Sequence, residues 1–303
     1  MLALFYLAGP GIGMPTLRNL YPELTRNAIE DLLTRYRRLH TGKNKICLHL
    51  LRWHKAGSVW AMDFSQPHFP VDNEYRYVFH VRDLASGCML LAQPVPNREL
   101  HHVVDALRVL FARYGAPLVL KSDNEFDTDA VFNFVEDPNR GARADLAALL
   151  KANQVNHLLS PRYHPQYNGA IEAGIGGFKA RAHLEAARHG RPLEWNCDDV
   201  EAARLQANEE SRPWGFDQDS PDAAWADRTP LCPLDRLAFI DAVNRFEQEC
   251  HHERRKSLLE GMPLDPQALR ACRREAICQA LVELGFLFIR RKRFTQPLKR
   301  SIA

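Results

Sequence analysis

Long apolar stretches are missing from this 303-residue sequence. It contains no run of eighteen or more apolar residues, the length that a membrane-spanning helix requires. The apolar opening at 2–8 is short for a signal peptide, and no basic residues precede it. These absences exclude a membrane protein, and we predict a soluble protein of the cytoplasm.

Cysteine is scarce and irregularly placed. The seven cysteines are odd in number and form no C-x-x-C pair, which argues against a disulfide framework. The one local cluster, Cys250-His251-His252, lacks the further ligands that a zinc site needs. We therefore predict reduced thiols and no zinc.

Internal repeats and low-complexity tracts are absent as well. With 46% hydrophobic and 25% charged residues, the composition excludes disorder, collagen and a pure coiled coil. The length predicts one large core with smaller appendages, or about two domains.

The net charge of +3 conceals an uneven distribution. Lys and Arg outnumber Asp and Glu in 1–57 and in 251–303, whereas 58–250 is acidic overall. Basic ends around an acidic centre are typical of arms that neutralise phosphates beside a core that gathers cations. Charge alone is equally consistent with ordinary variation between helix surfaces.

Helical periodicity begins at the N-terminus. Short helices are predicted over 2–8 and 16–21, and a longer helix begins at a Thr25 N-cap and runs to Leu39. Two short helices followed by a longer one, with tight turns between them, are typical of small DNA-binding modules.

The polar face of that longer helix is basic, because it carries Arg26, Arg35 and Arg38. In a helix-turn-helix the last helix enters the major groove, where basic side chains contact DNA. We predict a helix-turn-helix-like segment over 1–42 and favour it over the alternative, a helical cap on the next domain.

From 58 onwards the period changes from helical spacing to alternation. Three strands in succession are followed by a helix, and then strands alternate with helices. The order β-β-β-α-β-α-β-α predicts an α/β fold, a ribonuclease-H-like mixed sheet flanked by helices. The predicted strands lie at 58–64, 75–82, 88–95, 118–121 and 155–159, and the helices at 99–114, at 143–153 and from 170 onwards.

The flanking segments differ from this unit. We predict a linker over 41–55 and a helical, basic C-terminal region over 231–303, with helices at 235–260 and 266–284 and a strand at 286–290. The basic run Arg290–Arg293 and the aromatics near it favour a nucleic-acid-binding arm over a solvated tail.

Three acidic residues stand where chemistry can occur. Asp63 ends the first predicted strand of the sheet, Asp123 ends the fourth, and Glu172 lies in the first turn of the following helix. Mg²⁺ and Mn²⁺ prefer oxygen ligands, and two such ions can support an in-line phosphoryl displacement. The placement predicts a divalent-metal site, although a strand-terminal Asp taken singly is more often a turn cap.

The neighbours of Glu172 strengthen this interpretation. The preceding loop, rich in Pro and Asn-Gly, contains His164 and Asn168, which could position the loop or the DNA; His164 could equally be a turn residue. Lys179 follows Glu172 by two helical turns, so it lies on the same face and can contact phosphate.

The segments Trp60–Phe64, Lys121–Glu125 and His164–Glu172 together resemble the three signature segments of the integrase catalytic core. That core is shared by retroviral integrases and many bacterial insertion-sequence transposases, and the resemblance covers about 55–230. It implies that Asp63, Asp123 and Glu172 are Asp-Asp-Glu metal ligands, and that Lys179 contacts DNA.

The resemblance also implies an activity and partners. Members use two Mg²⁺ or Mn²⁺ ions to free a 3′-OH at a DNA end and then transfer that strand to target DNA. Double-stranded DNA would be the substrate, and joining two ends implies a homo-oligomer on the DNA.

Two departures from the family pattern stand out. The stretch between Asp123 and Glu172 is longer than is common, and we predict an inserted surface loop near 136–143. The N-terminal zinc module of retroviral integrases is also missing. Two alternatives remain: a non-catalytic DNA-binding protein derived from a transposase, and a ribonuclease-H-like nuclease that cuts without joining.

Overall fold

The computed structural model of the chain describes residues 14–43, 47–127, 139–161, 168–215, 217–256 and 263–293. The chain divides into two compact units, Met1–Leu51 with Ile289–Ala303 and Arg52–Phe288. Within the described ranges, no helix has the length and apolar character needed to cross a membrane.

The first unit contains two packed helices, α1 (Met14–Leu20) and α2 (Arg26–Lys43). Leu17 of α1 packs with Ile29 and Leu33 of α2 in a small buried cluster. The cluster forms because the apolar residues of α2 recur at helical spacing and therefore share one face.

The start of α2 has the predicted cap. The Ala28 backbone N–H donates to Thr25 Oγ1 over 3.3 Å, which satisfies one of the free N–H groups of the first turn. The helix predicted over 2–8 lies outside the described residues. The helix-turn-helix role of the segment remains a prediction.

The remaining elements follow in chain order. The strands are β1 (Cys47–Trp53), β2 (Val59–Ser65), β3 (Tyr77–Asp83), β4 (Met89–Val95), β5 (Val119–Ser122), β6 (Asn156–Leu159) and β7 (Leu287–Arg293). The helices are α3 (Leu100–Tyr114), α4 (Arg140–Ala152), α5 (Gly169–Arg188), α6 (Cys197–Glu210), α7 (Pro221–Ala226), α8 (Pro233–Arg255) and α9 (Pro266–Glu283).

The second unit is built on a five-stranded mixed sheet of order β4-β3-β2-β5-β6. Strand β2 pairs antiparallel with β3 and parallel with β5, and β5 pairs parallel with β6. The parallel neighbours need helical crossovers, which α3 and α4 supply, whereas the antiparallel strands follow one another directly. The sheet and its flanking helices confirm the predicted ribonuclease-H-like α/β fold.

Both faces of the sheet are covered. Trp60, Met62 and Phe64 of β2 point into a cluster that α3 and α4 complete. Val59 and Ala61 point to the other face, where α5, α8 and α9 cover them. This two-residue alternation decides which side chains at the end of β2 face α5.

The connection before the sheet is not a simple linker. The linker predicted over 41–55 is wrong for 47–53, because these residues form β1, which pairs with β7 in a two-stranded sheet. The partner strand lies at the far end of the chain, so local sequence pattern carries little sign of the pairing.

Two of the cysteines form a disulfide. Cys250 of α8 is bonded to Cys272 of α9, with a Cα–Cα distance of 5.6 Å. The prediction of reduced thiols is therefore wrong for this pair, because it depends on how the two helices pack and not on a sequence motif.

The region of the predicted insertion is described in part. Residues 136–138 lie outside the described part of the chain, and Arg140 already begins α4. The domain limits predicted at 42, 55 and 230 remain predictions.

Candidate active site

The parallel pairing of β2 with β5 brings two of the predicted acids together. Ala61 lies beside Lys121 in this register, so Asp63 and Asp123, each two residues further on, reach the same level at adjacent strand ends. Both acids also keep the alternation phase of the residues that face α5. Asp63 is half-buried, and its Oδ1 accepts a 2.8 Å hydrogen bond from the Phe64 backbone N–H.

The electrostatics reflect this proximity. The pKa of Asp63 is raised from 3.8 to about 7, because burial and the negative charge of Asp123 raise it more than the Phe64 N–H lowers it. Two carboxylates that share a site do not ionise independently, because each charge disfavours the other. Asp63 therefore titrates near neutral pH in this structure.

Asp123 is held by a buried amide. Asn168, directly before α5, donates from Nδ2 to Asp123 Oδ1 over 2.9 Å. The other end of the amide, Oδ1, accepts a 2.8 Å hydrogen bond from Lys121 Nζ. Asn168 is 1% exposed and Lys121 is 4% exposed, so the hydrogen bond between the lysine and the amide is shielded from water.

These two hydrogen bonds place a lysine charge among the acids. The pKa of Lys121 is lowered to about 8, because burial lowers it more than the negative charges of Asp123, Cys278, Glu172 and Asp63 raise it. Glu172 therefore lies within electrostatic reach of the same lysine as the two aspartates. It is an exposed residue in the first turn of α5.

Lys179 occupies the Asp63 side of the site. Its Nζ donates to the backbone carbonyl of Gln66 over 3.0 Å, in the segment that follows β2. Burial lowers the pKa of Lys179, and the charge of Asp63 opposes that shift. Lys179 and Glu172 lie two turns apart on α5 and therefore share a face, and the predicted contact of Lys179 with phosphate remains a prediction.

An acid and an arginine near the site were not predicted from the sequence. Glu125, two residues after Asp123, forms an ion pair of 3.1 Å with Arg98. The Arg98 guanidinium stands over the ring of Tyr77, 5.0 Å from its centroid. Burial raises the pKa of Glu125, Arg98 lowers it, and Asp123 raises it again. The sequence did contain a sign of Glu125, and of Lys121, because both residues belong to the signature-like segment that carries Asp123.

The other predicted site residues are placed as follows. His164 lies outside the described residues. Arg26 and Arg35 are exposed on α2, where Arg35 forms a 2.8 Å ion pair with Asp31. Arg38 belongs to α2, and its side chain is outside the described part of the structure.

The donors at this edge of the sheet suit a hard divalent cation. Mg²⁺ is commonly bound by only one or two protein carboxylates, with water and phosphate oxygens completing its shell. Asp63 and Asp123 supply two carboxylates side by side, and a cation would relieve the repulsion between them. Among the described residues, no three His, Cys, Asp or Glu side chains come together as a metal site. The register thus brings two of the three predicted ligands together, and the role of Glu172 as the third remains a prediction.

Comparison with known proteins gives structural similarity without a sequence match. No protein-family description matches the chain, and no curated protein does. The HTLV-2 integrase catalytic core domain in complex with magnesium, in a trimeric form, is 15% identical, with a TM-score of 0.42; the match covers 57% of this chain and 99% of that one.

Two further solved structures are similar at the same level. The catalytic core domain of BIV integrase is 18% identical with a TM-score of 0.39, over 56% of this chain and 95% of that one. A simian T-cell lymphotropic virus intasome in complex with PP2A regulatory subunit B56 gamma is 14% identical with a TM-score of 0.44, over 73% and 79%. At these values the similarities do not establish membership of one family.

Proposed function

We propose that the chain is a DNA transposase or integrase, a metal-dependent polynucleotidyl transferase that cleaves a DNA 3′ end and transfers the strand. One observation carries the proposal: the register of β2 and β5 sets Asp63 beside Asp123, in a pair whose mutual repulsion suits a divalent cation. The three signature-like segments agree with it, because each contributes a residue at this edge of the sheet.

Asp63 and Asp123 would hold Mg²⁺ or Mn²⁺, and we expect two ions, with Glu172 as the third carboxylate. When bound, such ions stabilise the charge that develops on a phosphate during displacement. The chain's own groups then orient the reactants. Lys179, held beside Asp63, contacts phosphate, and Asn168 keeps the Asp123 carboxylate in place through its 2.9 Å hydrogen bond.

Double-stranded DNA is the proposed partner, both as the cleaved end and as the target. Arg26, Arg35 and Arg38 on α2 would contact its phosphates or grooves, and His164 would position the loop before α5. Because two ends must be joined, the active form would be a homo-oligomer assembled on DNA.

Cleavage of labelled duplex DNA tests this proposal. The full chain is incubated with duplexes that carry the ends of its own genomic neighbourhood, in Mg²⁺, in Mn²⁺ or in EDTA. We expect metal-dependent nicks and longer strand-transfer products, and loss of both in Asp63→Asn, Asp123→Asn and Glu172→Gln. Asp105→Asn is the matched control, since Asp105 is an exposed acid on α3.

The products separate the alternatives. Nicks without longer products favour a nuclease, and DNA binding without nicks favours a non-catalytic protein. Full activity of Asp63→Asn would contradict the metal-site assignment itself.

A further inference from the structure

A cavity of about 460 Å³ opens on the second unit, between α5, α6 and the strands β3 and β4. Its wall contains three arginines, Arg82, Arg181 and Arg212, and two glycines of α5, Gly174 and Gly177. We call it the arginine pocket. Its volume lies in the range of pockets that hold small ligands.

The arginine pocket is separate from the carboxylate site. Gly174, Gly177 and Arg181 lie on one face of α5, because three or four residues separate successive members. At 100° per residue, Glu172 and Lys179 point to the opposite side of the same helix. A ligand in the pocket therefore occupies different surface from a substrate at Asp63 and Asp123.

The guanidinium of Arg82 is fixed by neutral partners. Its Nε donates to the Gly87 carbonyl over 2.9 Å, and its Nη1 donates to the Ala170 carbonyl. The adjacent carboxylate, Asp83, instead accepts hydrogen bonds from the backbone N–H groups of Gly57 and Ser86. Burial lowers the pKa of Arg82 and the charge of Asp83 raises it, but Arg82 is oriented by backbone carbonyls, without an ion pair between the two side chains.

The other two arginines have the same property. Arg181 donates to Ser211 Oγ and to the Gly177 carbonyl, each over 3.2 Å. Arg212 donates to the backbone carbonyls of Ser211 and Glu209 over 2.8 and 2.9 Å. Within the described ranges of the chain, none of the three arginines forms an ion pair with a carboxylate. Three guanidinium groups therefore line one cavity without a direct ion pair to a carboxylate in this part of the chain.

A glycine makes room for this arrangement. A Cβ on Gly174 would come within 2.6 Å of Arg82 Nη1, so any side chain there would displace the guanidinium. Glycine inside a helix costs about 1 kcal/mol relative to alanine. The close packing of the Arg82 side chain against α5 is a physical reason for glycine at position 174.

Guanidinium groups recognise phosphate through paired N–H donors, and the clustering of like charges around one cavity favours an anion that neutralises them. The cavity is also lined by Met89, Pro213 and Pro221, which suits a ligand with some apolar surface. We propose that the arginine pocket binds a phosphate-bearing ligand, either a stretch of DNA backbone or a soluble polyphosphate. Binding in the pocket needs no metal and no carboxylate. The inference therefore rests on the proposed function only if the ligand is DNA.

Pyrophosphate is the probe, titrated calorimetrically into the full chain in EDTA. We expect saturable binding that Arg181→Gln and Arg212→Gln each weaken about tenfold, because each removes a charged hydrogen-bond donor. Arg108→Gln makes the same charge change on the exposed side of α3 and leaves the affinity unchanged. Gly174→Ala, which displaces Arg82 without removing a charge, also weakens binding.

Anisotropy of a labelled duplex in EDTA then identifies the source. If pyrophosphate competes with the duplex and Arg181→Gln weakens duplex binding more than Arg108→Gln does, the ligand is DNA backbone. If pyrophosphate binds and the duplex affinities of these two variants agree, the ligand is a soluble polyphosphate.

Absence of pyrophosphate binding, or equal affinities in all four variants, overturns the proposal. Asp63→Asn keeps pyrophosphate binding under these conditions. Failure of DNA cleavage therefore counts against the proposed function alone, and failure of pyrophosphate binding counts against the arginine pocket alone.

Discussion

At the scale of single residues, the candidate site concentrates charge where the fold removes water. Burial and the charge of Asp123 both disfavour the ionised form of Asp63. The side chain of Lys121 is buried as well, at 4% exposure. Neither arrangement stabilises the folded chain by itself. Both are typical of sites in which a bound ligand or cation offsets the unfavourable free energy of a buried charge.

Asp63→Asn is predicted to stabilise the metal-free protein at alkaline pH. The folded state binds the Asp63 proton more tightly than the unfolded state, because its pKa of about 7 exceeds 3.8. Stability from this group is therefore present at low pH and is lost as the pH rises through about 7. In EDTA at pH 8 we expect a gain on the order of 2 kcal/mol in the free energy of unfolding. The gain should shrink towards pH 4.

Chemical denaturation at both pH values measures this effect. Asp105→Asn, which changes an exposed acid, is expected to leave the free energy unchanged. Equal stability of Asp63→Asn and the parent chain at pH 8 would show that Asp63 carries no buried charge.

Asn168→Ala is predicted to destabilise the chain by about 1–3 kcal/mol, because it removes a partner from both buried Lys121 and Asp123. Thermal unfolding measures the change, and Asn244→Ala is the control, since Asn244 is exposed on α8. A positioning role also requires that Mg²⁺ raise the Tm less in Asn168→Ala than in the parent chain. An equal Mg²⁺ effect would reduce Asn168 to a purely structural residue.

At the scale of elements, the start of α6 is fixed by a capping box. The Asn196 side chain accepts from the Asp199 N–H over 2.8 Å, and Asp199 accepts from the Asn196 N–H over 2.9 Å. Asp199 also binds Arg191 through two hydrogen bonds, of 2.8 and 3.1 Å, although it is only 3% exposed. One carboxylate thus joins the loop that follows α5 to the beginning of α6.

Asp199→Ala is predicted to cost about 3 kcal/mol, because it removes the cap and breaks an ion pair in which the carboxylate is buried. Asp198→Ala, at the exposed neighbouring position, is the matched control. Urea unfolding at neutral pH measures both. A cost below that of the control would contradict the importance of this contact.

At the scale of the whole molecule, α8 and α9 are integral to the second unit. Arg236 of α8 donates to the backbone carbonyls of Ala116, Pro117 and Asn153, over 2.7, 3.0 and 3.1 Å. Phe239 and Ile277 are buried against the same face of the sheet as α5. These helices therefore complete the core instead of forming a loosely attached tail.

The disulfide between α8 and α9 is predicted to contribute about 3 kcal/mol, since it closes a loop with a sequence separation of 22. Cys250→Ser should lower the free energy of unfolding by that amount under oxidising conditions. In excess dithiothreitol the parent chain and the variant should unfold alike. A difference that persists after full reduction would assign the effect to packing and not to the bond.

Much of the fold could be predicted from the sequence, because local residue patterns indicate the individual strands and helices. The change to strand periodicity at 58 predicted β2, and the helical patterns predicted α3 and α9 to within a few residues. Strand β1 was missed since its partner lies near the other end of the chain. Arg98 was missed as well, because its partner Glu125 is remote in sequence.

The sequence by itself determined the order of strands and helices, and hence the fold class and the strand ends at which Asp63 and Asp123 occur. Only the tertiary structure decided the register between β2 and β5, the hydrogen bonds by which Asn168 joins Lys121 to Asp123, and the cavity that three arginines share. The physical reason is the sequence separation of the residues that interact. Periodicity records how each segment meets a core, whereas strand register, ion pairing and cavities arise between segments that the sequence keeps far apart.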